Sequence, residues 1–220
     1  MTVTTASSAR PRADLIAAAL SAGRPRLVLA IDATASREPC WTAARQVTDS
    51  LFSAIPGGLD VALAAHGGSA VHTFTDFASD PAVLRDRAAA ISCQAGATML
   101  VPILQRARDA RAKVLVYVGD VFEENEGELA EAADALRVRG TKVIVLHDTS
   151  CGSDPLSARA FAELADRTQG AVMAFDPSSV GRLRELLEAI AVLAVGGLKL
   201  LEAKRKELPG ARLLLAKLDK

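Results

Sequence analysis

The sequence predicts an α/β fold: a doubly wound, mostly parallel six-stranded sheet in the order 3-2-1-4-5-6. Helices cover both faces, and one antiparallel strand closes an edge. Three observations lead there. Short apolar, β-branched runs alternate with helical patterns along the chain. Most of those runs are apolar throughout rather than alternating, which marks strands buried on both faces. Right-handed crossovers between such strands favour this order.

The strands are read at residues 26–31, 59–65, 71–74, 114–118, 142–147 and 171–175. The third is short and follows Gly67-Gly68, so it is expected to form a hairpin with the second and lie at the edge. Between strands, Trp41, Ala44, Val47, Leu51 and Ile55 recur at helical spacing. Asp80-Pro81 and Asp154-Pro155 are helix starts, a capping acid followed by proline at the first helical position. Further helices are expected from Met99 to Ala112, from Glu126 to Val138, and from Ser178 or Ser179 through Ile190. Gly196-Gly197 and Leu208-Pro209-Gly210 interrupt the pattern after that. The chain therefore divides into an N-terminal extension (1–22), a main domain (23–195) and an amphipathic extension (196–220). This last segment either packs on the domain's own surface or presents a helix to a partner.

Composition narrows the function. Half of the 220 residues are hydrophobic and 4% are aromatic, so the core is built from Leu, Val, Ile and Ala. Twenty-six basic residues balance 26 acidic ones, which gives no overall pull toward nucleic acid or an anionic membrane. The three cysteines, Cys40, Cys93 and Cys151, have neither metal-ligand nor disulfide-framework spacing. No stretch has the length of a membrane span, and residues 15–20 are too short for a secretory core, so a soluble, cytoplasmic protein is expected.

The chemistry concentrates in three segments. Asp32-Ala33-Thr34-Ala35-Ser36 follows the first strand, Gly96-Ala97-Thr98 precedes a helix, and Gly119-Asp120 ends the fourth strand. In the order 3-2-1-4-5-6 the first and fourth strands are neighbours whose connections leave toward opposite sides. The crevice at their carboxyl ends is the usual ligand position in such sheets, and Asp32 and Asp120 both fall there. Carboxylate and hydroxyl oxygens together suit a hard divalent cation.

Asp32-x-Thr34-x-Ser36, followed by Thr98 and Asp120, resembles the metal-ion-dependent adhesion site (MIDAS) of von Willebrand factor type A (VWA) domains. That family has Asp-x-Ser-x-Ser, so Thr34 replaces a serine but keeps its hydroxyl. The segment Val116-Tyr117-Val118-Gly119-Asp120-Val121-Phe122-Glu123-Glu124 is similar to small, stand-alone bacterial members. The resemblance implies that Thr34, Ser36 and Thr98 give hydroxyl oxygens to Mg²⁺ or Mn²⁺, while Asp32 and Asp120 hold its waters or bind it. One coordination position is then left for an Asp or Glu of a partner protein. The resemblance implies a metal-dependent adaptor or scaffold module rather than an enzyme. Many bacterial relatives act beside AAA+ ATPases or other modular factors.

Other readings stay open at this stage. Ser36 and Thr98 also sit where helix caps are expected, with Pro39 and Pro102 in the first turns that follow. Glu123, Glu124, Glu126 and Glu128 either complement the start of their own helix and face solvent, or select a partner with basic residues. His147 is either a hydrogen-bonded loop residue or a general base; His66 and His72 make no ligand pattern. A metal-assisted hydrolase or phosphoryl-transfer enzyme is the alternative function. However, Thr34 occupies the position where a haloacid-dehalogenase-type phosphatase needs its second acid, and the chain has no P-loop and no GxGxxG. RNA binding is disfavoured by the neutral charge.

Overall fold

The computed structural model describes residues 23–35, 59–149, 154–175 and 180–218. Ser36, the helix expected over 41–55, Cys40, Cys151, the whole N-terminal extension (1–22) and the helix start at Ser178-Ser179 lie outside the described residues.

Six strands form one sheet: β1 (Arg26–Asp32), β2 (Asp60–Gly67), β3 (Ala70–Phe74), β4 (Val114–Gly119), β5 (Lys142–Asp148) and β6 (Ala171–Phe175). Their order is β3-β2-β1-β4-β5-β6. All neighbours pair parallel except β2 and β3, which pair antiparallel. The β2–β3 turn has positive φ at both central residues, 60° at Gly68 and 59° at Ser69, the twist that a two-residue hairpin needs. The described helices are α1 (Pro81–Ala89), α2 (Leu100–Asp109), α3 (Glu126–Val138), α4 (Pro155–Arg167), α5 (Val180–Ala203) and α6 (Pro209–Leu218). Asp80 and Asp154 cap α1 and α4 through their carboxylates, ahead of a first-turn proline in each.

Side chains alternate across the sheet and feed two cores. Leu27, Leu29, Ile31, Val116 and Val118 face α1, α5 and α6. Val28, Ala30, Leu115, Tyr117 and Val145 face α2, α3 and α4. Parallel strands covered on both sides in this way show no polar face, which explains their unbroken apolar runs.

Past Gly197 (φ 64°, ψ −165°), where α5 is kinked, the chain turns back on itself. α6 lies against α5 and β6. Leu201, Ala211, Leu214 and Leu215 are buried in the same core as β1 and β4. The apolar stripe of this segment is thus spent within the chain, while Leu213 on the other side is 43% exposed. Leu214→Ala is expected to cost about 2–5 kcal/mol, whereas Leu213→Ala stays within about 0.5 kcal/mol. Urea denaturation of the two variants checks the difference.

Candidate metal centre

The carboxyl ends of β1 and β4 meet. Ile31 pairs with Val118, so Asp32 stands at the level of Gly119, one residue before Asp120. Both acids are buried, at 0% and 7% exposure. Asp32 accepts a hydrogen bond from the Thr34 N–H at 2.9 Å, which folds the chain back as it leaves the strand. Thr34 and Thr98 are buried as well.

A second loop is tied to this edge through its backbone. Gln94 donates to the Ala33 carbonyl (2.8 Å), accepts from Gly68 (3.1 Å) and bridges to Thr34. Two residues on, Gly96 has φ 150°, and a Cβ there would come within 2.4 Å of the Ser69 nitrogen. Only glycine fits this contact, because the loop lies flat on the β2–β3 turn. Ala97 then donates to the Ser69 hydroxyl (3.0 Å), which delivers Thr98 beside the strand ends.

The loop after Asp120 is held at three points. His147 Nε2 lies 3.3 Å from the Asp120 carbonyl, so the ring is the Nε2–H tautomer if it donates there. Phe122 N–H donates to Ser157 Oγ at 2.8 Å, and Glu123 N–H donates to Thr98 Oγ1 at 3.0 Å. His147 is therefore a structural hydrogen-bonding residue that holds the backbone of an acid. Thr98 does not cap α2: its hydroxyl accepts from Glu123, and Met99 is the capping residue with no side-chain bond.

His66 belongs to this site, although the sequence reading left it out. It pairs in register with Asp32, is fully buried, and its Nδ1 lies 3.9 Å from Asp32 Oδ1. Its Nε2 is 3.1 Å from the Tyr117 hydroxyl, and the two rings stack. Gly119 makes room for that hydroxyl, since a Cβ there would meet it at 2.5 Å. Burial pushes His66 down to about 4, His72 adds to the effect, and Asp120 opposes it. The ring is neutral near pH 7, so its contact with Asp32 is not an ion pair. The only hint in the sequence was one histidine closing an otherwise apolar strand.

No family model matches the chain, and no curated protein matches it. Solved structures do. A von Willebrand factor type A protein from Catenulispora acidiphila superposes with a TM-score of 0.62 at 17% identity, covering 79% of this chain and 43% of that one. The SpRpn10 VWA domain does so with a TM-score of 0.59 at 11% identity, covering 73% and 94%. Proximal thread matrix protein 1 from the mussel byssus, with a zinc-occupied MIDAS motif, gives 0.60 at 14% identity, covering 77% and 46%. The chain has the fold of a VWA domain. Its sheet order is that expected above; identities this low carry the fold alone.

Of the expected ligands, the described ones carry only oxygens: the carboxylates of Asp32 and Asp120 and the hydroxyls of Thr34 and Thr98, all buried. Among the described residues no group of three His, Cys, Asp or Glu side chains could hold a metal. Any site here therefore depends on hydroxyls as well as acids. Carboxylate and hydroxyl oxygens of this kind fit a hard divalent cation.

Two further acids complete the edge, in a role the sequence did not suggest. Glu123 Oε2 accepts from Thr98 N–H at 3.1 Å. Glu124 accepts from the first two amides of α2, Leu100 and Val101, the latter at 3.0 Å. Neither acid serves its own helix; Asn125 caps α3, and Glu126 pairs with Arg159. α2 opens Met99-Leu100-Val101-Pro102 with no capping side chain of its own, so Glu124 supplies the cap from another loop and Pro102 has no N–H to satisfy. Burial raises Glu124 to about 7 from 4.5; the two amides oppose the rise, and Glu128 adds to it. Between those values the folded chain binds more protons than the unfolded one, so this group's contribution to stability falls as pH rises through that window. In EDTA, Tm of the wild type should decline from about pH 5 to pH 7.5 more steeply than that of Glu124→Gln. Scanning calorimetry across that range is the check, and parallel curves would contradict the assignment.

Proposed function

We propose that this chain is a metal-ion-dependent protein-binding module, an adaptor or scaffold that engages an Asp or Glu of its partner through a divalent cation. The observation that carries the reading is the meeting of Asp32 and Asp120 at the ends of adjacent strands, both buried, with Thr34 and Thr98 on loops bonded to the same edge. Asp32, Thr34, Ser36, Thr98 and Asp120 would hold the ion, which we take to be Mg²⁺ or Mn²⁺. When bound, it would supply a Lewis-acidic position that the protein's own charges do not saturate, and a carboxylate is the natural ligand for it.

The protein's own groups do the rest. The Thr34 amide orients Asp32, and His147 and Ser157 hold the loop that carries Asp120. His66 fills the space beneath the acids without adding a positive charge. A cytoplasmic setting and a partner such as an AAA+ ATPase or other modular factor belong to the same proposal. No described helix is long and apolar enough to cross a membrane. We read the site as non-enzymatic.

Melting in EDTA against millimolar Mg²⁺ or Mn²⁺ tests the site. The metal should raise Tm of the wild type, by mass action on the folded state, and fail to raise that of Asp32→Asn. This variant retains an oxygen for the Thr34 amide and so spares the turn. A metal-dependent pull-down that Asp120→Ala abolishes would support the partner-binding role. Turnover of a generic phosphate ester that requires Asp32 would overturn the non-enzymatic reading.

A further inference from the structure

Thr98 and Asp120 lie on different loops, yet their segments are joined by four hydrogen bonds from two consecutive side chains and one backbone amide. The Glu123 N–H donates to Thr98 Oγ1, and the Thr98 N–H donates back to Glu123 Oε2. The Leu100 and Val101 amides donate to the two oxygens of Glu124. The exchange between Thr98 and Glu123 is reciprocal, as in a capping box, but it spans 25 positions of chain rather than three. Its consequence for Thr98 is specific. One lone pair of the hydroxyl is taken by the Glu123 amide, which sets the direction in which the remaining lone pair points.

We propose that Glu123 and Glu124 are positioning residues that clamp the Thr98 segment to the Asp120 loop, so that these two donors are set as a single unit. The clamp rests on the metal-binding reading of the site. Its other end is firm: the Asp120 loop is fastened to β5 by His147 and to α4 by Ser157, so the clamp transfers that rigidity to Thr98. Groups that orient the donors of a metal in this way commonly change affinity by about 10- to 100-fold when removed.

Mn²⁺ titration, followed by calorimetry, and apo-state melting separate orientation from bulk stability. The full chain is used as wild type, Glu124→Ala, Glu124→Gln and Asp80→Ala. Asp80 caps α1 through the Ala82 amide and stands as a control for the loss of an ordinary cap. Glu124→Ala should weaken Mn²⁺ binding by about tenfold or more. Glu124→Gln, which keeps one acceptor oxygen, should recover part of the loss, and Asp80→Ala should lower apo Tm while leaving Mn²⁺ affinity within about twofold. Amide exchange adds a readout without metal: the Thr98, Leu100 and Val101 amides should exchange faster in Glu124→Ala. If wild type binds Mn²⁺ and Glu124→Ala binds it equally well, the clamp is overturned and the metal site stands. If wild type shows no saturable Mn²⁺ binding, the metal reading fails and takes the clamp with it.

Discussion

Two carboxylates brought side by side at the end of a buried parallel sheet are the constraint around which this molecule is arranged. β1 and β4 are neighbours because the chain crosses over between them, and parallel pairing makes both end on the same edge. Asp32 therefore ends β1 beside the end of β4, and Asp120 follows one residue after β4 on a loop held by His147 and Ser157. Burying two acids together is costly unless hydrogen bonds or a cation balance them. Part of the local structure answers that demand: the Thr34 amide donates to Asp32.

Those loops are stiffened by one another rather than by their own helices. The segment through Gln94 and Gly96 is laid on the β2–β3 turn by backbone bonds to Ala33 and Gly68. α2 begins without a capping side chain, and the missing acceptor comes from Glu124 on the far side of the edge. A helix start left uncapped in sequence has become a joint between loops. The cost is an acid held partly away from water, which is why its proton affinity rises.

The rest of the fold keeps this edge rigid. Two cores on opposite faces of the sheet leave no strand with a wet side in the centre, and α6 seals one of them by folding back after the kink at Gly197. Asp32 is the last residue of β1 and Asp120 follows β4, whose residues are all buried. Rigid elements that end in loops are the usual means of holding functional groups in fixed relation.

Much of this was legible in the sequence. Unbroken runs such as Leu27–Ile31 and Val114–Val118 marked doubly covered strands, Asp80-Pro81 and Asp154-Pro155 marked helix starts, and chirality then dictated the strand order and the meeting of Asp32 with Asp120. Those signals are local or follow from general rules of chain connection, so one sequence carries them. What tertiary structure alone decided is pairing at long range. Whether Thr98 caps its helix or receives Glu123, whether Glu124 faces solvent or another helix, and whether His66 lies near an acid depend on which loops approach in space. A side-chain oxygen has the same chemistry in either case, and only packing selects its partner.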